Sequence, residues 1–429
     1  MDINRKTAYE VLFAVESKKQ YSNIALNNYI KNENPDSQGF VRELVYGVLE
    51  NKLLIDYYIS KFIKGRIKDV RRQDLIILRM GIYQIKFMDS VPNYAAVDEC
   101  VKLAKKFARG RDKFINGVLR SFLREGEKIL LPDKNEDPVK YLSIKYSYEK
   151  WIVEMWLKSY ELDFVEKLLM EGNKRPPVTV RANMLKGDRK SCSEMLKAKG
   201  FEVENCSLAS MGIHVKGERL LDSEMYKNGY FSVQDEASQM VSSWLEAEEG
   251  DIVVDVCAAP GGKSLSVAES MKNTGTVISQ DIYEKKVLGI SNEAKRLGIL
   301  NLQVRTWDAT KLRDDLVGKC HRVIADVPCS GLGVLRRKPE IKYNKNFDEV
   351  NNLPKLQLEI LETASKYLKS GGRMVYSTCT INSAENEGVV KAFIDKNSQF
   401  QVVKSHQFLP NVDNTDGFYI CVLKREDVV

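Results

Sequence analysis

From about Val233 to the C-terminus, short apolar runs that end in a polar residue alternate with helical stretches. This alternation constrains the fold more than anything else in the chain. Candidate strands begin at Ile252, Val277, Leu302 and Arg322, a fifth spans Met374 to Tyr376, and a last one spans Phe418 to Leu423. Ala237, Met240, Val241, Trp244 and Leu245 share one face of a helix ahead of them. Strands interleaved with helices predict a parallel, doubly wound sheet. Ligands of such sheets gather beyond the carboxyl ends of the strands.

The first strand end reads D-I-V-V-D-V-C-A-A-P-G-G-K-S, residues 251–264. Two glycines and a helix start let a ligand approach the backbone. A phosphate-binding loop would need glycine at position 257, where this chain has Cys257, although Gly262, Lys263 and Ser264 match the rest. A nucleotide hydrolase is therefore the rival reading. The second strand ends at Asp281, placed to accept hydrogen bonds from ribose hydroxyls. The third leads to Asp308, where an adenine amino group could be met. Singly, each aspartate reads as well as a helix cap. Together they describe a nucleoside pocket without a phosphate cradle, which suits S-adenosylmethionine. The fourth end, V-I-A-D-V-P-C-S-G, puts Asp326 and Cys329 in a loop shaped by Pro328 and Gly331. At the fifth, Gly371 and Gly372 read as a turn, Arg373 to Ser377 as a short strand, and Cys379 stands at its end.

The eight cysteines form no C-x-x-C pair and only three histidines are present, so no metal is expected. No run of about 18 apolar residues occurs, and the polar N-terminus lacks a signal-peptide core. A cytoplasmic protein with free thiols and no membrane partner is expected. Residues 1–130 hold 24 Lys and Arg against 16 Asp and Glu, whereas the remainder holds 42 against 43. That basic third reads as helical: Ala8, Val11, Leu12 and Val15 share a face, as do Leu75, Leu78, Ile82 and Ile85, and Val97, Val101, Ala104 and Ala108. Lys61, Lys64, Arg66, Lys68, Arg71 and Arg72 form one basic cluster, and Lys102, Lys105, Lys106, Arg109, Arg111 and Lys113 another. A cationic helical bundle points to a polyanionic partner. A non-catalytic RNA-binding factor built on this part is a second rival, but it has no use for Asp326, Cys329 and Cys379.

Two thiols, a carboxyl group and a methyl donor suit one reaction. A thiolate that adds to carbon 6 of cytosine turns carbon 5 into a nucleophile. A carboxyl group near ring nitrogen 3 stabilises the developing charge, and a base must then remove the carbon 5 proton. Cys379, Cys329, Asp326 and the pocket from Gly261 to Asp308 could supply this set, but spacing leaves open which thiol attacks.

C-A-A-P-G-G-K at 257–263, D-V-P-C-S-G at 326–331 and S-T-C-T at 377–380 resemble the RNA 5-methylcytosine methyltransferases of the Nop2/Sun family. Q-D-E-A-S at 234–238, R-A-N at 181–183 and D-G-F at 416–418 add to the likeness. The N-terminal third resembles a NusB-type RNA-binding domain, a pairing similar to the bacterial members that act on 16S ribosomal RNA. The resemblance implies that Cys379 is the nucleophile, that Cys329 assists product release, and that Lys263 and Asp326 reach the reacting base. It implies S-adenosylmethionine held by Cys257, Ala258, Ala259, Pro260, Gly261, Gly262, Lys263, Asp281, Asp308 and Asp326. DNA cytosine methyltransferases use a proline-cysteine nucleophile instead, so DNA is not expected as a partner. The expected architecture is an all-α NusB-like domain (1–130), linker helices with a small α/β RNA-recognition subdomain (140–232), and a Rossmann-like class I methyltransferase domain (233–427).

Overall fold

The apolar periodicity of the N-terminal third becomes seven helices in the computed structural model, which describes residues 1–426. They are Ile3–Lys18, Ser22–Glu33, Gln38–Glu50, Lys52–Ser60, Arg72–Phe87, Asn93–Phe107 and Asp112–Glu125. Ala8, Leu12, Val15, Leu78, Ile82, Val97 and Ala104 are buried in their shared core, with Leu75, Ile85 and Val101 packed at its margin. Asp2 caps the first helix by accepting from the Arg5 N–H at 2.8 Å, and Pro92 opens the sixth. The limit expected at residue 427 lies outside the described residues. Among those residues no helix is long and apolar enough to cross a membrane.

The chain divides into two compact units, the first formed by Met1–Lys174 with Leu335–Asn346. Helices Pro138–Tyr146, Lys150–Leu157 and Leu162–Glu171 complete this unit together with the returning stretch. Within it, Glu340 accepts from the Ser22 N–H and hydroxyl at 3.0 and 2.8 Å, and the Tyr343 hydroxyl donates to the carbonyls of Leu49 and Ser147. Lys342 is fully buried and donates to Asn173 at 2.6 Å, and desolvation pulls its ammonium down to about 7. Asp74, also fully buried, is ion-paired with Arg71 and Arg111, so one carboxylate joins the two basic clusters. Lys61, Lys64, Lys68, Arg72, Lys105, Lys106, Arg109 and Lys113 are exposed.

The second unit runs over Arg175–Val334 and resumes at Phe347. It opens with an antiparallel sheet of β1 (Val178–Ala182), β2 (Glu202–Asn205), β3 (Gly212–Lys216) and β4 (Phe231–Val233), ordered β2-β3-β1-β4. The larger sheet holds β5 (Ile252–Asp255), β6 (Thr276–Asp281), β7 (Leu302–Thr306), β8 (Cys320–Asp326), β9 (Leu368–Thr378), β10 (Phe400–Phe408) and β11 (Phe418–Arg425). Its order is β10-β11-β9-β8-β5-β6-β7.

Two expectations are corrected here. The sheet is not wholly parallel: β5 to β9 pair in parallel, but β11 pairs antiparallel with both β9 and β10. Strand β10 went unread because it lies at the sheet edge and Gln401–His406 are all exposed, so it carries no apolar alternation. Gly371 and Gly372 do not end a turn before a short strand either. Strand β9 starts at Leu368 and passes through them, and Gly371, at φ +72°, sits where the register against β8 shifts.

Candidate functional site

Parallel pairing brings the carboxyl ends of β5, β6, β7, β8 and β9 to one edge of the sheet, and the side chains singled out in the sequence project there. Strand β5 ends at Asp255 and runs through Cys257 and Ala258 into the helix Gly262–Ser270. The Ala259–Pro260 peptide bond is cis, and Gly261 has φ +106°, a conformation that disfavours any side chain. The Ala258 N–H donates to the Gln280 carbonyl at 2.7 Å, tying this loop to β6.

Asp281 closes β6 and accepts from the N–H groups of Ala259 (3.2 Å) and Tyr283 (3.1 Å). Asp308, two residues past β7, accepts from the Thr310 N–H at 3.0 Å and hydroxyl at 2.8 Å. Those hydrogen bonds hold its carboxyl below the usual range. Neither aspartate caps a helix; the helix after β6 begins at Glu284 behind Tyr283. Burial, together with the charges of Asp255, Asp326, Asp281 and Asp308, pushes the Cys257 thiol well up. Asp281, Asp308 and Asp326 surround this loop, Asp326 paired with Lys263, while Asp255 is fully buried behind it. Such a rim favours a ligand rich in donors and positive charge over a polyphosphate.

At the end of β8, Asp326 is held by both oxygens: Lys263 Nζ donates to Oδ2 at 2.6 Å and Ser377 Oγ donates to Oδ1 at 2.7 Å. Burial works against the Lys263 ammonium, but Asp326 outweighs it and keeps the group charged. Lys263 also lies 5.2 Å from the centre of the Phe418 ring. Beyond β8 and β9 the two thiols meet, with Cys329 Sγ 3.2 Å from Cys379 Sγ and both residues half-buried. The hydrogen bond to Cys379, reinforced by burial, pushes the Cys329 thiol well up. Either sulfur can donate to the other in this contact. The sequence signal, two cysteines at neighbouring strand ends, is matched by direct contact.

Several residues that position these loops were not singled out. Glu385, fully buried, accepts from the Ser330 N–H (2.8 Å), Gln357 (2.9 Å) and Asn382 (2.9 Å), which fastens the Cys329 loop. Ser330 and Thr380 join the two cysteine loops through their hydroxyls at 2.6 Å. The Gly333 N–H donates to the Cys379 carbonyl at 3.0 Å, and the Gly417 N–H donates to the Gly333 carbonyl at 2.8 Å. A Cβ on Gly333 would fall 1.8 Å from the Gly417 carbonyl oxygen, so only glycine fits. Asp255 is fully buried, accepts from Ser264 Oγ at 2.6 Å, and is pushed up to about 7 chiefly by desolvation. Glu385 and Asp255 lie in contexts, a short polar loop and a strand end, that carry no spacing signal.

Arg181, from R-A-N, is 2% exposed and forms a two-pronged pair with the fully buried Glu269, at 2.8 and 3.3 Å. The same guanidinium donates to Gln234 and, at 2.9 Å, to the Gly262 carbonyl. The smaller sheet thus buttresses the glycine loop from behind.

Residues 242–424 match the family described as 16S rRNA methyltransferase RsmB/F, residues 2–124 the NusB family, and residues 148–221 the RsmF/B-like ferredoxin-like domain. A probable ribosomal RNA small subunit methyltransferase B from Bacillus subtilis is 37% identical, covering 98% of each chain. The chain belongs to the RsmB family of 16S rRNA methyltransferases. The RsmB likeness extends to a probable methyltransferase B from Synechocystis, 29% identical over 98% of this chain and 99% of that one. It extends also to the crystal structure of PH0851, with a TM-score of 0.84, 25% identity and 98% coverage of both chains. The RsmB architecture of NusB domain, ferredoxin-like subdomain and Rossmann-like domain is thereby the architecture of this chain. The RsmB cofactor, S-adenosylmethionine, fits the residues present: a cationic sulfonium compound with hydroxyl and amino donors matches the acceptor-rich rim of Asp281, Asp308 and Asp326.

Proposed function

We propose that this rRNA methyltransferase modifies carbon 5 of a cytosine in 16S ribosomal RNA through a covalent bond between Cys379 and the base. The contact of Cys329 and Cys379 beside the Lys263–Asp326 pair carries this reading. Cys379 gives up its proton to solvent and attacks carbon 6 as a thiolate, and the electrons of the carbon 5–carbon 6 double bond shift through carbon 4 to ring nitrogen 3. Asp326, fixed by Lys263 and Ser377, passes a proton from the Lys263 ammonium to ring nitrogen 3 as negative charge develops there, accepts from the exocyclic amine, and takes the proton back when the Cys379–carbon 6 bond breaks. S-adenosylmethionine, held by the loop from Cys257 to Lys263 and by Asp281, Asp308 and Asp326, supplies the methyl group. Cys329, once its own proton has left to solvent, takes the carbon 5 proton, and the electrons of that carbon–hydrogen bond re-form the carbon 5–carbon 6 double bond as Cys379 leaves as a thiolate and frees the product.

Such a base must be unstacked or single-stranded to reach two half-buried thiols. The exposed lysines and arginines of residues 1–130 bind the RNA backbone, residues 140–232 contribute to recognition, and residues from 233 onward carry the chemistry. The test is a map of 5-methylcytosine in 16S RNA from cells with the protein, without it, and with Cys379→Ala. One cytosine is expected to lose its mark in both deficient strains. A map unchanged by loss of the protein would refute the assignment.

A further inference from the structure

A second cluster of ligating side chains lies away from the strand ends, where the smaller sheet meets the helix Glu236–Leu245. Cys206 follows β2, His214 lies in β3, and Glu236 opens the helix. Cys206 is 5% and Glu236 3% exposed, and His214 is half-buried. Cys206 Sγ is 3.7 Å from His214 Nε2, that nitrogen is 3.6 Å from Glu236 Oε2, and all three ligating atoms lie within 4.8 Å of one another. Zinc bonds of about 2.0–2.3 Å at tetrahedral angles separate neighbouring ligand atoms by roughly 3.3–3.7 Å.

Two further observations point to a cation. Thr179, the cross-strand neighbour of His214, has its hydroxyl 3.1 Å from Nδ1. This contact occupies Nδ1; Cys206 Sγ lies 3.8 Å from Nδ1 and 3.7 Å from Nε2, and Nε2, which also faces Glu236, is the candidate ligating atom. Glu236 divides its oxygens: Oε1 accepts from the N–H groups of Leu208 and Ala209, while Oε2 turns toward His214. Among the described residues no lysine or arginine is ion-paired with this buried carboxylate; its partners are those two N–H groups and the Cys206 thiol, and Arg189 lies close by on the carbonyls of Cys206 and Ala209.

We propose that Cys206, His214 and Glu236 form a zinc site whose fourth position is open to water. The thiol proton leaves to solvent as the metal–thiolate bond forms, and thiolate and carboxylate together balance the 2+ charge. The metal clamps the β2–β3 hairpin to the helix that begins two residues after Gln234, the residue that Arg181 shares with the glycine loop. Cysteine and histidine stand eight residues apart and the glutamate far downstream. No familiar zinc spacing results, which is why the sequence predicted no metal.

The test uses the full-length protein, stripped with a chelator and titrated with Co2+ and then Zn2+. About one Co2+ per chain is expected, with a thiolate-to-cobalt charge-transfer band and tetrahedral visible bands that Zn2+ abolishes. Cys206→Ser should remove the charge-transfer band. Glu236→Gln, which keeps an oxygen for Leu208 and Ala209, should weaken Co2+ binding at least about tenfold while the metal-free protein melts as the parent does. The double variant Cys329→Ser with Cys379→Ser should keep the spectrum. Binding of less than about 0.1 equivalent, a band that survives Cys206→Ser, or a band lost in the double variant would each overturn the site.

Discussion

Cys379 and Cys329 are the same residue type in contact, and the proposed mechanism gives them different tasks. The contact with Cys379 and burial push the Cys329 thiol well up, which agrees with the proposal that Cys379 is the thiol that attacks. The sequence located both thiols by strand-end spacing, and the family resemblance implies their order of action, but their contact depends on loops fixed by Glu385 and Gly333, which carry no pattern of their own. Asp255 offers a separate test. Its folded value of about 7 lies above the 3.8 of the unfolded chain, so the folded state binds the extra proton between those values. Stability contributed by this group is present at low pH and is lost as pH rises from about 4 to 7. Urea unfolding at pH 5 and pH 7.5 should show a loss of roughly 2–4 kcal/mol that Asp255→Asn removes. An equal slope in both proteins would contradict the assignment.

Among the elements, the inner parallel strands were legible as apolar runs that end in a polar residue, and the edge strand β7 by its half-buried Leu302 and Val304 alternating with exposed Gln303 and Arg305. The edge strand β10 was not, since exposed polar side chains leave no periodicity, and β9 hid its first residues behind a glycine pair that serves as a bulge. The motif R-A-N was visible but mute, because its meaning lies in a contact with Glu269 and Gly262 some eighty residues away. Arg181→Met strands the Glu269 carboxylate in the interior and should cost about 3–5 kcal/mol in chemical unfolding. It should also weaken S-adenosylmethionine binding measured by calorimetry. The double change Arg181→Met with Glu269→Leu should recover much of the stability without restoring cofactor affinity, because the Gly262 carbonyl stays unheld. Full recovery of both would show the pair to be independent of the loop.

For the whole molecule, uneven charge in the sequence became two exposed basic clusters in one unit, joined through the buried Asp74, and these are the proposed RNA contact. Counterion release makes RNA binding by such clusters salt-dependent. Reversing Lys105, Lys106 and Lys113 to glutamate should raise KM for RNA by about tenfold or more at 0.15 M salt and flatten the salt dependence. Cofactor affinity should stay unchanged; a fall in that affinity would count against a separate RNA-binding role. The covalent step is open to one direct measurement, mass spectrometry of protein–RNA adducts formed with 16S RNA and S-adenosylmethionine. Cys329→Ala should accumulate an adduct on Cys379, and Cys379→Ala should form none and lose methylation by more than about a thousandfold. An adduct that persists in Cys379→Ala and is absent from Cys329→Ala would reverse the two roles and contradict the mechanism.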